Sequence, residues 1–272
     1  MTRCSVVWCL VALVSGSGGV RAAGLPQLTV LAGSASKPVM EEAGPAMEEA
    51  LGIRLAFDFG GSGVLLSRLE LTGRGDIYLP ASHDYMEKAV AGGLVDPATR
   101  VDMAYLVPAL LVRKGNPKQI HGFEDLLRQN VKAAIGEPRT VCIGLYAREL
   151  LAEAGVEKTL LPRLGRARSG AALANLLALD SVDAIIGWRV FAAWFPDRVE
   201  ALPLPRSLTP RLATFPGAVT TCSSDPDHAR RVLAWLHGEQ GRHIWRRHGY
   251  MTTREEALAI LESPGKRVPP RR

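Results

Sequence analysis

Four serines stand where a chain could hold an anion: Ser34, Ser36, Ser62 and Ser169, each among small residues just ahead of a helical pattern. The first pair lies in Leu28 to Met47, where an apolar run, Leu28 to Leu31, reads as a buried strand. That run breaks at Ala32-Gly33-Ser34-Ala35-Ser36, and a helix opens at Lys37-Pro38. A strand, a tight turn and a helix start leave several backbone N–H groups unpaired and aimed at one point, and the helix dipole makes that point attractive to negative charge. Serine hydroxyls beside those groups add donors. A similar junction recurs at Gly60-Gly61-Ser62-Gly63, at Val141-Cys142-Ile143-Gly144 and at Arg168-Ser169-Gly170. Ser62 and Ser169 occupy N-cap positions. Taken alone, the Ser62 loop reads more readily as a capped turn serving only the fold.

Other chemistry finds little support. Cys142 has no histidine nearby in sequence to activate it, and a packed or disulfide-bonded cysteine is the better reading. Cys142 and Cys222 could pair in an oxidising compartment, and their spacing leaves that open. No CxxC or His/Cys cluster argues for zinc or haem, no metal or other cofactor is expected, and no G-x-S-x-G elbow is present. A serine hydrolase using Ser34 or Ser62 is therefore the rival from another class. The formal charge of +6 is spread along the 272 residues without a basic stripe interleaved with aromatics, which speaks against nucleic acid.

The elements that would position these serines alternate between strand and helix throughout, so the class is α/β with helices on the sheet faces. Arg3, the apolar stretch Val6 to Val14 and the small residues ending at Ala22 or Ala23 read as an export signal, too short for a spanning helix of about 20 residues. A helix with Gly44-Pro45 interrupting it follows the first turn, and Ile53 to Phe59 is the next strand. Tyr105 to Arg113 reads as one apolar strand and Asp180 to Trp188 as another. The expected division is a signal peptide over 1–22, a first lobe over 23–104 plus 213–261, a second lobe over 105–212, and a disordered basic tail over 262–272. Two loops per half, each after a strand's carboxyl end, suit a ligand held between two lobes hinged at the crossings.

In this order the pieces resemble the periplasmic molybdate- and tungstate-binding receptors of ABC importers, of the type II solute-binding fold. The resemblance runs from about Leu28 to about Tyr250 and rests on Ala32-Gly33-Ser34, Gly60-Gly61-Ser62, Gly75-Asp76-Ile77 with Ala81-Ser82, Gly136-Glu137-Pro138 to Gly144-Leu145-Tyr146-Ala147, and Arg246-Arg247-His248-Gly249-Tyr250. It implies two lobes, each a mixed sheet flanked by helices, and a tetrahedral oxyanion held in the cleft by serine hydroxyls and backbone N–H groups. Position by position, the first serine falls on Ser34, or on Ser36 against relatives with a longer alanine run. The second is Ser62, the backbone donors are Ile143 and Ser169, and Cys142 replaces a common proline. Where many relatives place a ligand-contacting tyrosine, this chain has Gly187, with Trp188 next. The resemblance further implies a monomeric, non-catalytic periplasmic receptor whose partner is an inner-membrane permease. Sulfate, thiosulfate or a small organic anion, and a sensing role, stay open as alternatives.

On charge alone, a fully deprotonated dianion needs only donors, whereas phosphate at neutral pH keeps a proton and wants an acceptor carboxylate. Asp58, Asp76 and Asp183 lie near the proposed loops, and Lys37, Arg139 and Arg168 flank three of them.

Overall fold

The structure, a computed structural model, describes residues 24–202, 204–209 and 211–262. The expected export signal and nearly all of the expected basic tail lie outside them. The chain enters through β1 (Gln27–Gly33), a single 3-10 turn (Ser34–Ser36), α1 (Lys37–Leu51), β2 (Arg54–Gly60), α2 (Ser62–Thr72), β3 (Ile77–Leu79), α3 (His83–Ala91) and β4 (Val101–Leu106). It then passes into β5 (Pro108–Arg113), β6 (Ala133–Gly136), α4 (Cys142–Glu153), α5 (Glu157–Leu160), β7 (Gly165–Ala167), α6 (Gly170–Ala178), β8 (Ala184–Trp188), α7 (Phe191–Trp194) and β9 (Val199–Leu202). It returns with β10 (Ala213–Val219), α8 (Pro226–His237), α9 (Glu239–Arg247) and α10 (Arg254–Glu262).

Two mixed sheets result, in strand orders β2-β1-β3-β10-β4 and β7-β6-β8-β5-β9, and each carries helices to form one lobe. In the first, β1 pairs parallel with β2 and β3, and β10 runs antiparallel between β3 and β4. In the second, β6 pairs parallel with β7 and β8, and β5 lies antiparallel between β8 and β9. The apolar run of β1 is buried because the strand lies inside a sheet whose faces carry helices. The parallel strands send their carboxyl ends toward the serine loops.

Several sequence expectations shift. Tyr105 to Arg113 is two strands in different sheets, divided at Val107. Pro108 has no N–H to continue the first ladder, so it opens the next strand instead. The strand expected from Asp180 begins only at Ala184, because Asp180 takes a left-handed turn (φ 57°) after α6. Helix α1 runs through Gly44-Pro45 as one helix and stops at Gly52, whose φ of 67° suits a left-handed cap. β7, β9 and α10 had no counterpart in the sequence reading.

The C-terminal helices return to the first lobe and brace its cleft loop. Phe215, Trp245 and Tyr250 pack with ring centroids 4.9–6.1 Å apart, and the Tyr250 hydroxyl donates to the Ala35 carbonyl in the first serine turn. Burying a ring such as Phe215 stabilises the fold by about 1.5–3 kcal/mol. Asp76 is a structural knot rather than a free acid. It accepts from the Thr29 N–H at 2.8 Å, from the Ser223 hydroxyl and Ser224 N–H at 2.9 Å each, and from the Ser224 hydroxyl at 3.1 Å. Those bonds tie β1 to the turn after β10.

Candidate functional site

The lobes meet over a small, nearly closed cleft, lined by Gly33, Ser34, Ala35, Gly60, Gly61, Ser62 and Ala81 from one side. Val141, Cys142, Gly170 and Trp188 line it from the other. Among the described residues, none that lines the cleft carries a charge or a carboxylate. The walls therefore consist of hydroxyls, a thiol, apolar side chains and the backbone at helix starts.

Ser34 directly follows β1 and opens the 3-10 turn. Its Oγ accepts the N–H of Ala171, in the first turn of α6, at 3.2 Å, so this hydroxyl already spans the lobes and keeps its own proton to donate. Ser62 is only 1% exposed. It is the first residue of α2, not its N-cap: Gly61 holds that position, with no side-chain cap bond. The Ser62 Oγ instead accepts from the Ala81 N–H at 3.1 Å, which aligns the turn after β3 with the cleft. Its carbonyl accepts from the Tyr78 hydroxyl at 2.9 Å.

The other sequence candidates lie apart from this lining. Ser36 is fully buried and donates to the Gly33 carbonyl at 2.9 Å, closing its own turn. Ser169 is the N-cap of α6, with its Oγ accepting the Ala172 N–H at 3.1 Å, while the next residue, Gly170, faces the cleft. Ile143 is buried one residue beyond Cys142, and its N–H is a hydrogen-bond neighbour of the Cys142 sulfur. Gly187 faces the second lobe's core, where an added Cβ would meet Phe191, Leu111 and Ile185 side chains at 3.0–3.2 Å. Trp188, the last residue of β8, takes the cleft position instead.

Cys142 begins α4, where the helix dipole would ordinarily acidify a thiol. Burial wins and pushes the thiol up to about 12, against hydrogen bonds from Ser62 and the Ile143 N–H. It is a neutral wall group at physiological pH. Cys142 and Cys222 are both free thiols, so the pairing left open by the sequence is not formed. Gly144, in the first turn of α4, explains how this helix start comes so near the preceding loop. A Cβ there would lie 2.4 Å from the Gly136 carbonyl oxygen and 2.7 Å from the Pro138 Cα.

Further bonds cross between the lobes around the cleft. The Gly63 N–H donates to the Thr140 carbonyl at 2.9 Å, and the Tyr85 hydroxyl to the Arg139 carbonyl at 3.0 Å. At the rim, Arg211 donates to Asp84 of α3 at 2.8 Å and to both carboxylate oxygens of Glu149 of α4, at 2.6 and 2.9 Å. Its guanidinium carbon sits 4.3 Å from the Tyr146 ring centroid, and the Tyr146 hydroxyl reaches Asp84 at 3.3 Å. Glu149 first, then Tyr146 and Asp84, raise the Arg211 pKa above its usual value against the cost of burial. The sequence reading missed both this cluster and Trp188. Only Trp188 carried a signal, as an aromatic residue at a strand's carboxyl end.

The three acids near the loops are engaged elsewhere. Asp58 pairs with Arg68, Asp76 ties β1 to the β10 turn, and Asp183 accepts from Arg113 and from the Lys132 N–H at 2.9 Å. The basic residues stay outside: Lys37 is about half exposed and 3.5 Å from Glu41, and Arg139 is 90% exposed.

Two lobes of this topology, with helix starts and hydroxyls converging between them, define a two-lobed solute-binding protein of the type II periplasmic class. The chain belongs to the bacterial extracellular solute-binding protein family, whose model matches residues 28–251. Among relatives, a binding protein of Haemophilus influenzae is 25% identical over 82% of this chain and 90% of its own length. The molybdate-binding protein ModA of Rhodobacter capsulatus is 24% identical over 89% of this chain and 94% of its own. An aconitate isomerase from a Pseudomonas species is also 24% identical, over 89% and 88%. Solved structures give the same fold. The Azotobacter vinelandii periplasmic molybdate-binding protein aligns with a TM-score of 0.73 at 17% identity, over 84% of this chain and all of that one. The sulfate-binding protein SubI of Mycobacterium tuberculosis aligns at 0.70 and 19% identity, over 87% and 91%.

Proposed function

We propose that this protein is a non-catalytic periplasmic receptor that closes over a fully deprotonated tetrahedral oxyanion, molybdate or tungstate, and delivers it to the permease of an ABC importer. The observation that carries this reading is the cleft lining, which combines Ser34, Ser62 and helix-start backbone and contains no charged side chain and no carboxylate. A dianion with four acceptor oxygens is satisfied by donors alone. Hydrogen phosphate would bring a proton to a wall that has no acid to receive it. Likeness to molybdate-binding relatives supports the same choice. Ser34, Ser62 and the N-termini of α4 and α6 are the proposed ligand donors, and they are drawn from both lobes. Closure then follows from the anion making contacts in the closed state that it cannot make in the open one.

A sulfate receptor is the second reading, favoured by the shared fold of a sulfate-binding protein. A hydrolase has less support, since no histidine lines the cleft beside either serine. Titration calorimetry with molybdate, tungstate, sulfate and phosphate separates these readings. Tight one-to-one binding of the first two with weak sulfate is the expected result. Heat with sulfate alone would keep the receptor and change its ligand. Ser34→Ala and Ser62→Ala should each weaken binding by about 1–3 kcal/mol, the cost of losing a charge-assisted hydrogen bond. Unchanged affinity in both would remove the serines from the site.

A further inference from the structure

Arg211 stands two residues ahead of β10, on the chain's return from the second lobe to the first. Its side chain reaches both lobes at once. Two guanidinium nitrogens donate to the two carboxylate oxygens of Glu149 on α4, at 2.6 and 2.9 Å, and the third donates to Asp84 on α3 at 2.8 Å. The guanidinium carbon also lies 4.3 Å from the centroid of the Tyr146 ring, one turn before Glu149 on α4. A bidentate fork and an aromatic face therefore seat the cation on the second lobe. Asp84 is what it catches on the first, and the Tyr146 hydroxyl adds a donor to the same carboxylate at 3.3 Å.

This clamp differs from the other joints between the lobes. Ser34 with Ala171, Gly63 with Thr140 and Tyr85 with Arg139 are neutral hydrogen bonds. Among the described residues, the ion pairs that link the lobes all run through Arg211. Arg211, Asp84, Glu149 and Tyr146 also stand outside the cleft lining. Their attraction acts on closure whether or not an anion is bound, and being ionic and partly exposed it is screened by salt. Lobes that already spend time together give a ligand more binding-competent protein, so such a clamp raises apparent affinity through the closed fraction.

We propose that Arg211 is a ligand-independent, salt-sensitive latch that biases the two lobes toward closure by catching Asp84. It concerns lobe motion in the protein alone, so its failure is distinct from a failure of the oxyanion reading. The test reads the interlobe distance in ligand-free protein beginning at residue 24. Leu71 near the end of α2 and Leu179 just after α6 lie on different lobes and are 86% and 73% exposed. Leu71→Cys and Leu179→Cys in a Cys222→Ser background take spin labels while buried Cys142 is spared, and double electron–electron resonance gives the distance distribution. At low salt this parent should hold a distinct short-distance population. Arg211→Ala should lower the ratio of short to long distances about fivefold, and Glu149→Gln should shift it the same way. Molar sodium chloride should give the parent the Arg211→Ala distribution and leave Arg211→Ala itself unchanged. The proposal is overturned if either variant keeps the parent's distribution at low salt, or if salt opens Arg211→Ala as far as it opens the parent.

Discussion

A single methyl group at Gly61 should hold the two lobes apart. Gly61 has φ −69° and ψ 140°, a conformation open to any residue, so alanine there strains nothing within its own loop. Its Cβ would nevertheless stand 2.8 Å from the Thr140 carbonyl oxygen and 3.0 Å from that of Arg168, both backbone atoms of the opposite lobe. Neither can turn aside as a side chain could, so the lobes must part by several tenths of an ångström. The bonds first strained are those nearest the wedge, Gly63 to Thr140 at 2.9 Å and Tyr85 to Arg139 at 3.0 Å. At about 0.5–1.5 kcal/mol each, their loss disfavours closure by roughly 1–3 kcal/mol. If the anion is held only in the closed arrangement, affinity falls by about 5- to 150-fold. Calorimetry of Gly61→Ala measures that loss, small-angle scattering of the ligand-free protein reads the opening, and a melting curve checks the fold. Wild-type affinity in a folded variant would show that binding does not need the lobes this close. A melting temperature depressed as severely as affinity would mean that the methyl damages the lobe itself.

Other perturbations test the surrounding parts. Arg211→Ala removes the rim bridge between Asp84 and Glu149. Because Arg211 is about one-third exposed, the effect should stay near 1 kcal/mol, about a fivefold loss of anion affinity by calorimetry with little change in melting. Tyr250→Phe deprives the buried Ala35 carbonyl of its donor and should cost about 1 kcal/mol of unfolding free energy, read as a fall of about 2–4 °C in melting temperature. The thiol of Cys142 is pushed up to about 12, so above its ordinary range the unfolded chain releases a proton that the native chain keeps. Stability should therefore decline as pH rises toward 12, and Cys142→Ala should flatten part of that decline in denaturant melts. In protein beginning at residue 24, a disulfide reagent at pH 8 should label exposed Cys222 and spare Cys142 until the chain is unfolded.

The junctions that build the cleft were legible because local signals coincide there. At β1 and α1 a buried run, a small-residue break and a proline in the first helical turn all fall within a dozen residues or so. For Ser62 the sequence points to an N-cap, whereas the structure makes it the first residue of α2. Capping statistics describe the helix alone, whereas its partner, Ala81, is 19 residues away across the sheet. The Tyr105 to Arg113 run hid the passage between lobes, since both halves are apolar and only Pro108 marks the change of sheet. α10 escaped because it buries little more than Ala257 and Leu261, too few positions to establish a helical period. The choice between Gly187 and Trp188 turns on a period of two at a strand's final residue, where one step exchanges core for cleft. Arg211 offered no signal at all. Its acids lie 127 and 62 residues distant, and nothing local distinguishes it from a solvated arginine.

On the proposed reading, the cleft holds its anion without a counter-charge. The proposed donors are neutral and fixed by folding, so a bound anion would meet oriented dipoles, with no ion pair to break for release. Lys37 and Arg139, which flank the loops, stay in water, so any steering of an anion by them should fade as salt rises. Selectivity then rests on what the walls lack. Accepting a protonated oxyanion would require an acid at the lining. Each nearby candidate is already committed, Asp58 to Arg68, Asp76 to Thr29 and Ser224, and Asp183 to Arg113. Recruiting Asp76 would untie β1 from the turn after β10, so a change of specificity toward phosphate would have to introduce a new carboxylate rather than borrow one.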